Sequence, residues 1–243
     1  MSTSDTATAA APTVPFRCDI DVAARGWDHD AWGRDFFPLD LPREWRLTFY
    51  ANHFRSVLVP GRVLLRAEPS NLAEWHTDTH EEFRFFLEIS VRLVERFRSG
   101  GVAALLRWLE PLVDRTAGLL LLGFARRREP AFAHWIEALG ERFVVHTLAG
   151  REGVTLPVGS VVPALGNLHQ CWYPGLKATG QGYPGCLGLV RGSPADLPGL
   201  RRQMEAFVAY AKQAERATLC FASCPPSLHA MQQSRILVEL LGG

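Results

Sequence analysis

Strand-like and helix-like segments alternate along this chain, and the alternation constrains the fold more than any other feature. The segment 83–89 (FRFFLEI) places apolar side chains at every second position, as a strand with one buried face does. From Val102 the apolar residues recur at 105, 106, 109, 112 and 113, which is the period of one helix face. Strands that alternate with helices predict a parallel sheet covered by helices.

The same patterns predict the other elements. Further strands are expected at 18–25, 56–59, 119–122, 143–148 and 217–221, with an apolar stretch at 158–162, and further helices at 41–54, 130–140, 200–211 and from 227 toward 241. About eight strand candidates in one chain favour an α/β fold, a closed TIM-type (β/α)₈ barrel of parallel strands, over a doubly wound sheet. Only about ten residues lie between the fifth predicted strand, 143–148, and the stretch 158–162, whereas a parallel crossover needs a dozen or more, so we expect the barrel to be irregular around its fifth to sixth strand.

Composition limits the partners and the location. The chain has 26 basic and 25 acidic residues in 243, a formal net charge of +1, which argues against a nucleic acid or an anionic membrane as partner. Residues 1–15 (MSTSDTATAAAPTVP) resemble neither a secretory signal nor a packed segment. The sequence therefore predicts a disordered tail at 1–15, a single barrel domain at 16–243 and a cytoplasmic protein.

The five cysteines do not indicate a metal site. Cys220 and Cys224 lie four residues apart, but no second pair of ligands stands nearby, whereas zinc needs about four ligands. Buried, reduced thiols are expected instead. Neither a metal nor a cofactor is predicted.

Three stretches carry a family resemblance. They are GWDHDAWGRDFFP at 26–38, LPREWRLTFYANHF at 41–54 and TLCFASCPPSLHAMQQSRILVELLG at 218–242. Together they resemble the YecE-like family, a group of TIM-barrel proteins whose biochemical role is undefined. The matching residues are Gly26, Trp27, Trp32, Phe37, Pro38, Tyr50, Ala51, His53 and Phe54. The resemblance implies a TIM barrel between Ile20 and Leu241, and it implies no activity.

The chain departs from the family pattern at the ends of four strands. The family's Val-Glu-Ile-Asn is VLVP at 57–60, its Val-Glu-Phe-Arg-His is VHTLA at 145–149, its Arg-Leu-His-Gly is LVRG at 189–192, and its Phe-Asn-Asn is FAS at 221–223. Barrel chemistry needs polar side chains that converge from several strand ends. We therefore expect a catalytically degenerate barrel with a binding or protein-interaction role. The alternative is an enzyme acting on a small polar or anionic substrate at the carboxyl face.

The catalytic candidates are Asp28, His29 and His146. Asp28 and His29, with Asp30, follow the first strand, where they form either an acid/base or metal-binding group or simply a solvated loop. His146 interrupts an apolar strand and is either a base in a pocket or a neutral histidine of the core.

The ligand-binding candidates are Trp27, Arg126 and Trp172. Trp27 either walls the mouth of a pocket or anchors the loop, and Arg126 either meets an anion at the barrel mouth or is solvated. Trp172, with His169 and Tyr173, belongs to a Gly- and Pro-rich segment that is either a ligand-gripping loop or an exposed one.

A second acidic group lies on the first strand. Asp19 and Asp21 share one face of this strand, where they form an inward acid pair or, as we expect, point outward into solvent near the amino end.

Overall fold

The computed structural model describes residues 18–123, 130–148, 168–174, 185–192, 196–212 and 214–241. The predicted tail at 1–15, Arg126 and the apolar stretch 158–162 lie outside these residues. The strands are β1 (Asp19–Arg25), β2 (Ser56–Val59), β3 (Arg84–Ser90), β4 (Thr116–Leu122), β5 (Val145–Thr147), β6 (Leu168–Gln170), β7 (Gly185–Val190) and β8 (Arg216–Phe221). The α-helices are α1 (Gly33–Phe36), α2 (Arg46–Ala51), α3 (Gly61–Leu64), α4 (Pro69–Thr77), α5 (Val91–Arg96), α6 (Gly101–Leu109), α7 (Pro130–Gly140), α8 (Leu197–Ala211) and α9 (Leu228–Leu240).

All strand pairs are parallel, and the strand order is β6-β5-β4-β3-β2-β1-β8-β7. The first strand pairs with the last, from Asp19 opposite Arg216 to Ala24 opposite Phe221. Between β6 and β7 the described residues form one isolated bridge, which joins Trp172 to Gly188. The predicted TIM-type α/β barrel is therefore confirmed as a nearly closed barrel. Its irregular side includes the short strands β5 and β6, and the break falls between β6 and β7.

Alternation along the strands separates two cores. On β3, Phe85, Leu87 and Ile89 pack against the helices, whereas Phe86 and Glu88 face the interior of the barrel. The apolar side chains in this interior form what we call the lumen cluster: Ala23, Leu58, Phe86, Leu120, Leu148, Cys171, Leu187, Leu189 and Cys220. The lumen is thus packed with side chains, as in other barrels of eight strands.

Several helix ends follow the local signals in the sequence. Helix α7 spans Pro130–Gly140 as predicted, and the Ser227 hydroxyl accepts a hydrogen bond from the Ala230 amide at 3.2 Å, which caps α9. Helix α6 ends at Leu109 and continues as a 3₁₀ turn, because Pro111 has no amide hydrogen for an α-helical bond. Within the described residues, no helix has the length and apolarity that a membrane span needs.

The predicted helix 41–54 is shorter in the structure. It consists of a 3₁₀ turn at Arg43–Trp45 followed by α2, which ends at Ala51. Strand β2 begins at Ser56, so the chain needs the intervening residues to turn into the sheet.

Candidate functional site

An ion pair occupies the carboxyl end of the lumen. The guanidinium of Arg25, the last residue of β1, binds the Glu88 carboxylate through both Nε and Nη2, with Nη2 at 2.7 Å from Oε2. The Gly61 amide donates to the same Oε2 at 2.8 Å. Because Glu88 is only 3% exposed, these three donors compensate a buried charge. The carboxylate joins the ends of β1, β2 and β3.

The Arg25–Glu88 pair is poorly suited to acid/base catalysis. Hydrogen bonding to Glu88 raises the pKa of Arg25 and outweighs the opposing effect of burial. A carboxylate held by a bidentate arginine and an amide is poorly placed to accept a substrate proton. The Arg25 side chain remains 24% exposed at the barrel mouth, so its guanidinium is the part of the pair that a ligand can reach.

The sequence interpretation missed both residues, although the signal for Glu88 was present. The alternation in FRFFLEIS that places the apolar residues on the helix side places Glu88 on the opposite side. An acid within a buried strand requires a partner, and Arg25 at the end of β1 supplies it.

His29 is buried in the turn after β1, where its ring binds the main chain. Its Nε2–H donates to the Arg25 carbonyl at 3.0 Å, and its ring lies 4.6 Å from the Trp32 ring between centroids. Burial lowers the pKa of His29, against the opposing influence of its backbone hydrogen bonds. A neutral ring that donates to a main-chain carbonyl holds the turn after β1.

Asp28 and Asp30 lie together on the surface, where two arginines hold them. Arg43 Nη2 is 2.6 Å from Asp30 Oδ1, and Arg43 Nη1 is 3.2 Å from Asp28 Oδ2. Arg46 Nη1 binds both carboxylates and lies 3.1 Å from Asp30 Oδ1. Hydrogen bonds from Arg46 and Arg43 lower the pKa of Asp30. The two acids thus form an exposed ion-pair cluster, while the His29 ring binds the main chain.

His146 lies in the lumen on β5 and is 1% exposed. Its ring centroid is 5.9 Å from that of Phe86 and 6.3 Å from that of His169 on the neighbouring strand. Burial, and to a smaller extent His169, lowers the pKa of His146 to about 3. Neither ring nitrogen has a hydrogen-bond partner among the described residues. His146 is therefore a neutral core histidine in this structure.

The two tryptophan candidates differ in exposure. Trp27 is half-buried and meets Trp75 edge to face, with 5.2 Å between ring centroids. Trp172 is 1% exposed, and its ring centroid lies 5.2 Å from that of Phe207 on α8. Trp172 therefore presents almost no surface to a ligand, and part of the segment predicted as a loop is strand β6, which carries His169.

Asp21 corrects the expectation that the acids of β1 point into solvent. It is 6% exposed and lies 2.6 Å from Arg55 Nη2, whereas Asp19 is half-buried and binds the same Nη2 at 2.7 Å. Burial raises the pKa of Asp21, against the effect of Arg55. Because these residues lie at the amino end of the barrel, their network is a structural one.

All five cysteines lie within the described residues and are free thiols. Cys18, Cys171, Cys186 and Cys220 are buried as expected, but Cys224, just after β8, is exposed. Burial raises the pKa of the Cys171 and Cys220 thiols. No group of three or more potential ligands for a metal ion occurs within the part of the chain that the structure describes.

Comparison with known proteins identifies the family. The model of the family described as "Protein of unknown function DUF72" matches residues 22–149, just over half of the chain. No match is found among curated proteins. A DUF72 family protein from Enterococcus faecalis V583 is similar in structure, with a TM-score of 0.61, 12% identity, and 93% of this chain and 98% of that chain covered. A DUF72 family protein from Thermotoga maritima MSB8 gives a TM-score of 0.58, 13% identity, and 90% and 99% coverage. The chain therefore belongs to the DUF72 family of proteins of unknown function.

Proposed function

We propose that this protein is a divergent YecE-like member of its family with a catalytically degenerate barrel and a binding or protein-interaction role. In this proposal residues 16–243 form one domain, preceded by a disordered tail, and the protein is cytoplasmic. Its partner is a small molecule or a protein, and its activity needs neither a metal nor a cofactor.

The packing of the lumen cluster carries the proposal. Leu58 and Leu148 stand where the YecE-like pattern has glutamate and arginine, and Leu189 stands where it has arginine. All three are buried in the apolar cluster. Arg25 and Glu88 bring charge to this end of the lumen, and the two charges of this pair neutralise each other. Such side chains pack well but have little capacity for acid/base chemistry.

One observation favours the alternative, an enzyme acting on a small polar or anionic substrate. The partly exposed Arg25 guanidinium at the barrel mouth provides a cation at the face where barrel enzymes bind their substrates. In that case the substrate would contact Arg25 and depend on the ion pair.

A ligand screen with two pair variants separates these functions. Metals, sugars, nucleotides and organic phosphates are tested for thermal stabilisation of the wild type, of Arg25→Met/Glu88→Gln, and of the control Arg201→Met/Glu205→Leu. The control removes an exposed pair on α8 with a 2.8 Å contact. A specific ligand at about 100 times its dissociation constant adds about 2.7 kcal/mol of stability.

Each outcome of the ligand screen favours one of the two functions. Stabilisation by a ligand that persists in Arg25→Met/Glu88→Gln supports binding outside the lumen and hence the proposal. Stabilisation that is lost only in that variant, together with turnover of the ligand by the wild type, refutes the degenerate barrel and establishes the enzyme.

A further inference from the structure

A cleft with two arginines and a tryptophan opens beside the barrel mouth, between α3 and α4. Its volume is about 290 Å³, and it is lined by Arg62, Val63, Arg66, Ala67, Asn71 and Trp75. None of these residues belongs to the lumen cluster or to the Arg25–Glu88 pair.

The cleft carries uncompensated positive charge. Arg62 and Arg66 are exposed, and neither pairs with a carboxylate among the described residues, although Arg62 Nη2 contacts the Cys224 sulfur at 4.0 Å. They are four residues apart on one turn, a spacing that brings two like charges to the same side. The acids of the neighbouring helix are engaged, since Glu68 binds Arg96 at 2.9 Å and Glu74 lies 3.4 Å from the Asn71 amide. An anion between the two guanidinium groups would relieve their repulsion.

The opposite wall offers an aromatic surface. Trp75 is half-buried, and its contact with Trp27 has an interplanar angle of 79°. In an edge-to-face pair one ring presents its edge, so the contact with Trp27 covers at most one face of Trp75. Trp75 also packs against the core, so a planar ring would stack on the part of its ring that lines the cleft.

Both walls are fixed before a ligand arrives. The first amide of α3, that of Gly61, is held by Glu88 at 2.8 Å, and a Cβ at Gly61 would approach the Glu88 carbonyl to 3.1 Å. The start of α4 is held by a capping box in which the Glu68 amide donates to Asn71 Oδ1 at 2.9 Å. Fixed walls reduce the entropy lost when a ligand binds.

We propose that this cleft binds a small anion that carries an aromatic ring and has the size of a nucleoside monophosphate. The phosphate lies between Arg62 and Arg66, because guanidinium groups bind phosphate through paired hydrogen bonds, and the ring stacks on Trp75. The volume is near the lower end of the range of about 300–1,000 Å³ found for small-molecule sites. This site goes beyond the proposed function, since it stands whether or not the lumen is catalytic.

Calorimetric titration with AMP, adenosine and inorganic phosphate tests the site. We expect AMP to bind the wild type and each fragment to bind at least about tenfold more weakly, a difference of about 1.4 kcal/mol. In Arg62→Gln/Arg66→Gln, AMP binding falls at least about tenfold. In Trp75→Leu, AMP binds no better than phosphate. The exposed pair Arg98→Gln/Arg202→Gln removes the same charge elsewhere and leaves AMP binding unchanged.

Three results overturn the proposal. The first is the absence of AMP binding to the wild type at about 1 mM, where even a weak site would be half filled. The second is equal weakening of AMP binding in the cleft variant and in Arg98→Gln/Arg202→Gln, which would reflect net charge alone. The third is AMP binding that is lost in Arg25→Met/Glu88→Gln and kept in Arg62→Gln/Arg66→Gln. This last result places the ligand in the lumen, whereas the first two leave the proposed function untouched.

Discussion

We expect His146→Leu to lose much less unfolding free energy than the wild type when the pH is lowered. The buried ring holds a pKa of about 3 against an ordinary value of 6.5. The folded protein therefore keeps the ring neutral, while the unfolded chain takes up a proton below about pH 6.5. The stability that depends on the neutral ring is fully present above the unfolded pKa and is lost as the pH falls toward the folded one.

The size of this loss follows from the distance between the two pKa values. Each pH unit between about 6.5 and the folded pKa costs about 1.4 kcal/mol, so at about pH 4.5 the histidine alone costs the wild type about 2 to 3 kcal/mol. Leucine has no proton to take up, and its substitution breaks no hydrogen bond, because the ring nitrogens have no partner among the described residues. The neighbours of the ring include the apolar Phe86, which suits a leucine side chain.

Urea denaturation at about pH 7.5 and about pH 4.5 measures the effect directly. The difference in unfolding free energy between the two pH values should be about 2 to 3 kcal/mol smaller in His146→Leu than in the wild type. The exposed His229 provides a control, and His229→Leu should follow the wild type. If His146→Leu and the wild type lose the same stability in acid, the ring is protonated in the folded protein and the reasoning is wrong.

Three further predictions concern stability and reactivity. Arg25→Met leaves Glu88 buried without its cation and should lower the unfolding free energy, measured by urea denaturation, by about 3 to 5 kcal/mol. The double variant Arg25→Met/Glu88→Gln should restore most of this loss. A loss below about 1 kcal/mol in the single variant would show that the pair is solvated. The Tyr50 hydroxyl accepts a hydrogen bond from the Ala24 amide and donates one to the Ser56 carbonyl, both at 2.9 Å, and so bridges β1 and β2. Tyr50→Phe should therefore lower the unfolding free energy by about 1 to 3 kcal/mol. An unchanged unfolding free energy would contradict this bridge. Of the five thiols, Cys224 alone is exposed and should react rapidly with a thiol reagent in the native protein. Cys224→Ser should abolish this rapid reaction. Rapid labelling of a second thiol would contradict the burial of the other four.

The barrel was predictable from the sequence because its elements obey local rules. The period of 83–89 marked β3, and Pro130 and Gly140 marked both ends of α7. The helix expected at 41–54 was less accurate, since periodicity alone does not show where a chain must turn to enter the next strand. Boundaries of this kind depend on tertiary packing.

The candidate site was harder to predict, because its partners come from distant parts of the chain. Arg25 and Glu88 are 63 residues apart in sequence, and only the pairing of β1, β2 and β3 brings them together. Asp28 and Asp30 were visible as charges near a strand end, but their arginine partners belong to the following turn and helix. The burial of Trp172 likewise depends on α8, through Phe207.

The pairing of β1 with β8 has a consequence for any attempt to study the family-matched part of the chain alone. The match covers residues 22–149 and so contains the end of β1 together with β2 to β5, but one edge of β1 is completed by β8, between Arg216 and Phe221. A fragment of residues 22–149 would leave the main-chain donors and acceptors of this edge unpaired beside Val22 and Ala24, side chains that are buried in the whole barrel. An uncovered apolar strand edge is a template for association with other chains. We therefore expect the family-matched part to associate when it is produced alone, because the strand that covers this edge of β1 comes from the second half of the chain.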